Sequence, residues 1–245
     1  MHYWLVVPAA GSGSRFSAAE LKQYTLLEGQ RVIEWALQPF VSDARCRGIS
    51  LAIGTGDRLW PEVEARVRQQ RAAQQPGTQF PILHTTGGRE RAHSVRNALS
   101  MLEAAAAADD WVLVHDAARP CVTRPEIDAL LQACAAYPDG GLLAIAVADT
   151  LKREAEQPGR VGSTLPRDSL WRALTPQMFR YAALCQALDH ALTAGRLPTD
   201  EAQALEWRGV NPLLVTGSSR NLKITGADDL ELARAILRAR NEVRA

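Results

Sequence analysis

The sequence predicts an α/β fold, a mostly parallel sheet with helices on both faces. Short apolar runs rich in Val, Ile and Leu alternate with stretches of helical pattern, the order from which strand–helix–strand units are built. The runs show little polar–apolar alternation, as strands covered on both faces should. The 245 residues, 47% hydrophobic and 22% charged, have the composition of a globular protein and can bury a sizeable core.

The elements follow in order. Tyr3–Pro8 is apolar and short, lacks a basic flank and ends at a proline, so it reads as a buried strand and not a signal peptide. Further strands are expected at 49–53, 81–85, 111–115 and 141–147, and helices at 32–40, 59–70, 89–107 and 124–136. The polar stretch 71–77 reads as a solvated helix end or loop, and the alanine run 104–108 as a helix end. Thr123-Arg124-Pro125-Glu126 has the form of a capping box with proline in the first turn. After Thr225, Asp228, Asp229 and Glu231 precede Arg238, Arg240 and Arg244, an order that suits a helix dipole. Residues 148–172 break the alternation. They carry charges, Pro158, Gly159 and Gly162, show no helical period, and are long for a loop, so they read as an extended arm. One domain, 1–245, with an arm insertion at about 148–172, is the expected organisation.

Twenty-eight Lys and Arg against twenty-seven Asp and Glu exclude a strongly basic nucleic-acid footprint over the whole chain. They leave room for a local basic pocket. No run reaches the roughly 18 apolar residues of a membrane helix, so no membrane partner is expected. Cys46, Cys121, Cys134 and Cys185 are scattered without a C-x-x-C pair, which suggests neither zinc nor a disulfide framework. Reduced cysteines fit a cytoplasmic enzyme.

In folds of this kind ligands bind beyond the carboxyl ends of the strands. That directs attention to the loops after Val7, Thr85, His115 and Val147. The first carries Ala9-Ala10-Gly11-Ser12-Gly13-Ser14-Arg15, followed by Lys22-Gln23-Tyr24. Glycines let the backbone approach a ligand closely, and successive N–H groups form an anion-binding concavity. Arg15 and Lys22 add positive charge. A tight turn beside a surface lysine is the simpler alternative for this string alone. Phe16 stands where a dinucleotide fingerprint needs glycine or alanine, and no Walker string is present.

Further strings follow: Gly87-Gly88-Arg89-Glu90-Arg91-Ala92-His93-Ser94-Val95, Val114-His115-Asp116-Ala117-Ala118-Arg119-Pro120 and Asp149-Thr150-Leu151-Lys152. Then come Leu170-Trp171-Arg172-Ala173-Leu174-Thr175-Pro176-Gln177, Thr199-Asp200-Glu201-Ala202 and Asn221-Leu222-Lys223-Ile224-Thr225. Each is weak alone. Taken in order they resemble the nucleotidyltransferase family, in particular the 2-C-methyl-D-erythritol 4-phosphate cytidylyltransferases, over nearly the whole chain. The resemblance implies a Rossmann-like fold of the nucleotide-diphospho-sugar transferase type. It implies CTP and methylerythritol phosphate as substrates, magnesium as cofactor, and a homodimer formed through the arm. Members join the 4-phosphate of methylerythritol phosphate to the α-phosphate of CTP and release pyrophosphate.

The same resemblance implies residue roles. Arg15, Lys22, Arg167 and Lys223 are implied as catalytic, the first two on the triphosphate and the others on the substrate phosphate. Arg167 would serve a neighbouring subunit, and Lys223 is expected at the end of a late strand. Substrate contacts are implied at Ala9, Ala10, Gly11, Gly13, Gly88, Ser94, Ala117, Arg119, Thr150, Thr175 and Thr199. Asp116 is implied as the metal ligand, because a carboxylate beside a triphosphate needs a cation between them. Its position alone equally allows a structural bridge to Arg119. Arg91 reads either as support for the glycine turn or as a surface helix arginine, and neither His93 nor His115 is assigned a catalytic role. Two residues depart from the family pattern. Arg89 stands where an acid is expected, and Leu21 replaces a proline. Without that proline, residues 17–21 are expected to order on nucleotide binding. The alternatives are another polyol- or sugar-phosphate nucleotidyltransferase such as one acting on ribitol phosphate, a non-catalytic nucleotide-binding module, and, more remotely, a nicotinamide oxidoreductase.

Overall fold

A computed structural model describes residues 1–11 and 21–242. In chain order it contains β1 (Tyr3–Pro8), a one-turn 3-10 helix (Lys22–Tyr24), β2 (Leu26–Leu27), β3 (Gln30–Arg31), α1 (Val32–Val41) and β4 (Cys46–Ile53). Next are α2 (Trp60–Gln74), β5 (Ile82–Thr86), α3 (Arg91–Ser100), β6 (Trp111–Val114), α4 (Arg124–Ala135) and β7 (Gly141–Ala146). The last third holds β8 (Leu151–Glu154), β9 (Val161–Leu165), β10 (Trp171–Arg180), α5 (Tyr181–Thr193), α6 (Glu201–Glu206), β11 (Leu213–Thr216) and α7 (Ala227–Glu242).

Seven strands form the central sheet in the order β11-β7-β10-β6-β1-β4-β5. Every neighbouring pair is parallel except the two made by β10. The sheet divides two cores. Tyr3, Leu5 and Val7 of β1 pack with α1, α2 and α4, whereas Trp4 and Val6 pack with α3, α5 and α6. Side chains alternate across a strand, so apolar residues on both parities mean apolar burial on both faces. That is why the strands read as unbroken runs. Leu5 is fully buried. Truncating such a leucine to alanine costs about 2–5 kcal/mol. A third cluster lies outside this sandwich, where Ala233 and Leu237 of α7 cover Leu27, Val32 and Trp35.

Local chemistry explains the boundaries. Glu126 accepts from both the N–H and the hydroxyl of Thr123, at 3.0 and 2.8 Å, and so starts α4 where the capping box predicts. The expected helix 89–107 is shorter, since α3 ends at Ser100 and gives way to turns. The expected solvated helix end at 71–77 holds for residues 72–74, which close α2 exposed, and for the exposed Pro76 and Gly77; Arg71 is the exception. Arg71 is buried, donating to the carbonyls of Val41 and Asp43 at 2.8 Å and lying 4.3 Å from the Phe80 ring centroid, and α2 continues to Gln74. Burying an arginine is costly unless its donors find partners, and here backbone carbonyls take Nη1 and Nη2 while Nε has none.

Residues 148–170 form an exposed antiparallel hairpin of β8 and β9, and β10 then re-enters the sheet at Trp171 opposite Ala146. Pro176 has no N–H to give a central strand, and the pairing of β10 with β7 is irregular between Ala173 and Gln177. Lys223 is not at the end of a strand. It lies in the extended loop between β11 and α7.

Candidate active site

The carboxyl ends of β1 and β6, the turn before α3 and the loop before α7 enclose a cleft of about 370 Å³. Its walls include Ala9, Ala10, Gly11, Lys22, Gly88, Ser94, Asp116, Ala117 and Lys223. Gly13 and Arg15, with positions 17–20, lie outside the described residues.

The end of β1 is held by hydrogen bonds on either side. Ala9 donates its N–H to Ala52 at 2.7 Å, and the Gln23 side chain donates to the Ala9 carbonyl at 2.7 Å. Tyr24 is buried in the core and its hydroxyl donates to Asp57 at 2.6 Å. These two anchors fix the one-turn helix so that Lys22 borders the cleft. The opposite wall needs its glycines for space. A Cβ on Gly87 would stand 2.1 Å from that of Ala10, and one on Gly88 2.3 Å from that of His93. Ser94 ties the turn down, accepting from the Gly88 N–H at 3.1 Å and donating to the Glu90 carbonyl at 3.2 Å.

Asp116 is the electrostatic centre. Its Oδ1 accepts from Nε and Nη2 of Arg91, both at 3.1 Å. Its Oδ2 meets Lys223 Nζ at 2.9 Å and Arg119 Nε at 3.6 Å. Burial would raise this carboxyl, but Arg91, Lys223 and Arg119 together hold it well below the usual carboxylate range. The aspartate therefore does make the bridge to Arg119, and two further cations share it. Behind it, a neutral network sets the backbone. The Arg119 carbonyl can only accept, so His115 Nε2, 3.1 Å away, carries the proton. His115 Nδ1 then accepts from the Thr175 hydroxyl at 3.0 Å, whose oxygen accepts the Asp116 N–H at 3.1 Å. Burial lowers the His115 pKa to about 4, consistent with a neutral ring.

Arg119 and Thr175 thus stand behind the cleft wall, both buried. The arm residues do not reach it. Thr150 and Arg167 are exposed, Arg167 donating to the Ala148 carbonyl, and Thr199 is exposed with its N–H given to Gln203. Arg91 is no surface arginine: it joins Asp116 to Glu201, donating to Glu201 Oε1 at 2.6 Å and Oε2 at 3.1 Å. Glu201 was not selected from the sequence. It lay within the string Thr199-Asp200-Glu201-Ala202, but nothing local marks a glutamate as buried.

Among the described residues no group of three or more His, Cys, Asp or Glu side chains could hold a metal. Magnesium commonly uses one or two carboxylates and completes its shell with phosphate oxygens and water. Asp116, with Oδ1 filled by Arg91 and Oδ2 turned to a lysine at the cleft, fits such an ion carried in by a triphosphate. Among the described residues no helix is long and apolar enough to cross a membrane.

The comparisons with known proteins agree with this geometry. The family model of IspD, 2-C-methyl-D-erythritol 4-phosphate cytidylyltransferase, matches residues 3–239. The chain is 46% identical over 233 residues to the protein of that name from Pseudomonas putida, covering 95% of this chain and 94% of the relative. To the Pseudomonas aeruginosa protein of the same name it is 48% identical over 231 residues, 93% of each. Its fold is similar to a 4-diphosphocytidyl-2C-methyl-D-erythritol synthase crystal structure, with TM-score 0.80 and 32% identity over 96% of this chain and 98% of that one. The Francisella tularensis 2-C-methyl-D-erythritol 4-phosphate cytidylyltransferase structure gives TM-score 0.77 and 34% identity over 96% of this chain and 100% of that one. A cleft at the carboxyl edge, the ordered motifs that line it, and these likenesses lead to one conclusion: the chain belongs to the 2-C-methyl-D-erythritol 4-phosphate cytidylyltransferase family.

Proposed function

We propose that the chain transfers CMP from CTP to 2-C-methyl-D-erythritol 4-phosphate, forming 4-diphosphocytidyl-2-C-methyl-D-erythritol and pyrophosphate. The observation that carries this reading is the pairing of Lys223 Nζ with Asp116 Oδ2 at 2.9 Å on the cleft wall, facing the loop that ends β1. A phosphate oxygen attacks the α-phosphorus and pyrophosphate departs. The nucleophile is already anionic, so no general base is required. The work is positioning and neutralising charge. Lys22 and Arg15 serve the triphosphate, and Lys223 turns from Asp116 to the incoming phosphate. The backbone of Ala9–Gly11 faces the triphosphate, and Gly88 faces the base. Asp116 would hold magnesium, which when bound neutralises phosphate charge in the transition state.

Arg167 and Thr150 are assigned to the partner's cleft in a homodimer built through the arm, which accounts for their distance from the cleft of their own chain. Arg119 and Thr175 serve the substrate from behind the cleft wall, through Asp116, and Thr199 serves it from outside the described cleft. We read the enzyme as cytoplasmic, with no nucleic-acid partner. The test is pyrophosphate release by purified protein with magnesium and CTP, ATP, GTP or UTP, each with methylerythritol phosphate and with ribitol phosphate. Release restricted to CTP with methylerythritol phosphate, lost on chelation, is the expected result. Release with ribitol phosphate instead overturns the substrate, and CTP binding without turnover favours a regulatory module.

A further inference from the structure

Glu201 is the first residue of α6 and 1% exposed. A carboxylate in the interior is strongly disfavoured unless paired. Burial pushes its pKa up against the opposing pull of Arg91. Yet it lies one guanidinium from the site. Arg91 opens α3, 110 positions earlier, and splits its donors between two acids: Nη1 and Nη2 to Glu201, Nε and Nη2 to Asp116.

We propose that Glu201 is a positioning residue of the transfer reaction: it takes up one side of Arg91, so that Asp116 keeps an effective negative charge and a fixed orientation toward the cleft. The proposal rests on the cytidylyltransferase reading above. Three cations, Arg91, Arg119 and Lys223, surround the Asp116 carboxylate. Alone it would be overwhelmed, and a cation arriving with CTP would meet net repulsion. Glu201 supplies the second negative charge. When Lys223 leaves for the substrate phosphate, two arginines and two carboxylates remain in balance. The aim of Glu201 is rigid. Gln177 donates to Asp200 at 2.9 Å and accepts the Ala202 N–H at 2.9 Å, clamping the start of α6 to β10. The fork of Arg91 suits two bidentate acids, which a lysine cannot serve.

The test compares wild type, Glu201→Gln, Glu201→Asp and Arg91→Lys. Mn2+ binding in the presence of CTP is read by electron paramagnetic resonance, kcat and KM by pyrophosphate release, and folding by circular dichroism and melting. Losing an outer partner of a metal-binding side chain typically weakens affinity or rate ~10–100-fold. We expect Glu201→Gln and Arg91→Lys to fall in that range for Mn2+ affinity and kcat, with KM for CTP changed less than about threefold, while Glu201→Asp recovers part of both. Wild-type Mn2+ affinity and kcat in folded Glu201→Gln overturn the proposal. So does a loss spread equally over kcat, KM and melting temperature, the mark of a brace between α3 and α6. If Glu201→Gln does not fold, Glu201→Asp and Arg91→Lys decide by the same readouts. If wild type binds Mn2+ with CTP but does not turn over methylerythritol phosphate, the substrate reading fails, and the Mn2+ comparison still decides the role of Glu201.

Discussion

Two aspartates, Asp43 and Asp116, sit at opposite ends of the same sheet, and each is buried among arginines. Asp43 lies between α1 and β4, at the amino edge. It accepts from the Tyr3 hydroxyl at 2.9 Å, from Arg45 Nε and Nη2 at 3.0 and 2.9 Å, and from Arg124 Nη2 at 2.9 Å. Asp116 follows β6 at the carboxyl edge. In both, burial opposes ionisation and the surrounding donors prevail, so both carboxyl groups are lowered. The difference is in what holds them. Every partner of the Asp43 carboxylate belongs to a seam that joins β1, the β4 turn and α4, and its side chain has no exposure. Asp116 has a lysine on its cleft side, 37% exposed on a flexible stem, which can be withdrawn. A buried ion pair is thus a weak sign of function by itself. The sign is a partner that substrate can replace.

The contrast is broken most directly by removing each carboxylate. Asp43→Ala should leave the buried Tyr3 hydroxyl without its acceptor and Arg45 and Arg124 with only the exposed Asp128, and cost about 1–3 kcal/mol of stability, read by urea unfolding, with kcat of the remaining folded protein near wild type. A variant that melts normally but loses activity would reverse the assignment of this seam. Asp116→Asn should do the opposite. It should lower the rate of pyrophosphate release ~10²–10³-fold, in the range expected for a displaced group that meets developing charge, with a smaller change in melting temperature. Lys22→Ala should fall in the same range of ~10²–10³ or below it.

Acid sharpens the comparison further. A carboxyl lowered by folding stabilises the native state above its unfolded pKa of about 3.9 and loses that contribution as pH falls below it. Unfolding midpoints should therefore drop on acidification below about pH 4, and less steeply in Asp43→Asn than in wild type. An unchanged acid slope in that variant would remove Asp43 from the account. The smallest effect is at the cap that delivers Arg124 to the seam. Thr123→Ala should cost about 1 kcal/mol without altering turnover, measured by paired melting and activity assays.

Legibility varied with how local the cause was. The capping box at Thr123 and Glu126 was readable because both partners lie within one helical turn. β1, β4, β6 and β7 were readable because each holds an apolar run, and β5 because Ile82 and Leu83 are followed by β-branched Thr85 and Thr86. β10 was not, because charges, a proline and the edge of the arm interrupt its pattern, and its antiparallel place between β6 and β7 depends on strands far away in sequence. Arg71 read as solvated because the carbonyls that satisfy it belong to another element. At the site, Ala9, Ala10, Gly11, Lys22, Gly88, Ser94, Asp116, Ala117 and Lys223 are legible from the ordered strings and line the cleft, whereas Gln23, Glu90, Ala118, the burial of Glu201 and the direction of Arg91 are not.

The sequence by itself determined the alternation of elements, the sheet buried on both faces, the glycine turns and the family, because these depend on residue type and spacing along the chain. Only the tertiary structure decided that Asp116 is shared by three cations, that Glu201 stands behind Arg91, and that Thr150 and Arg167 lie away from the cleft of their own chain. The physical reason is that burial and ion pairing are properties of neighbours in space. Arg91, Asp116, Glu201 and Lys223 come from four separate loops and helix starts, and only the folded sheet links their charges into one chain of contacts, Glu201 to Arg91 to Asp116 to Lys223.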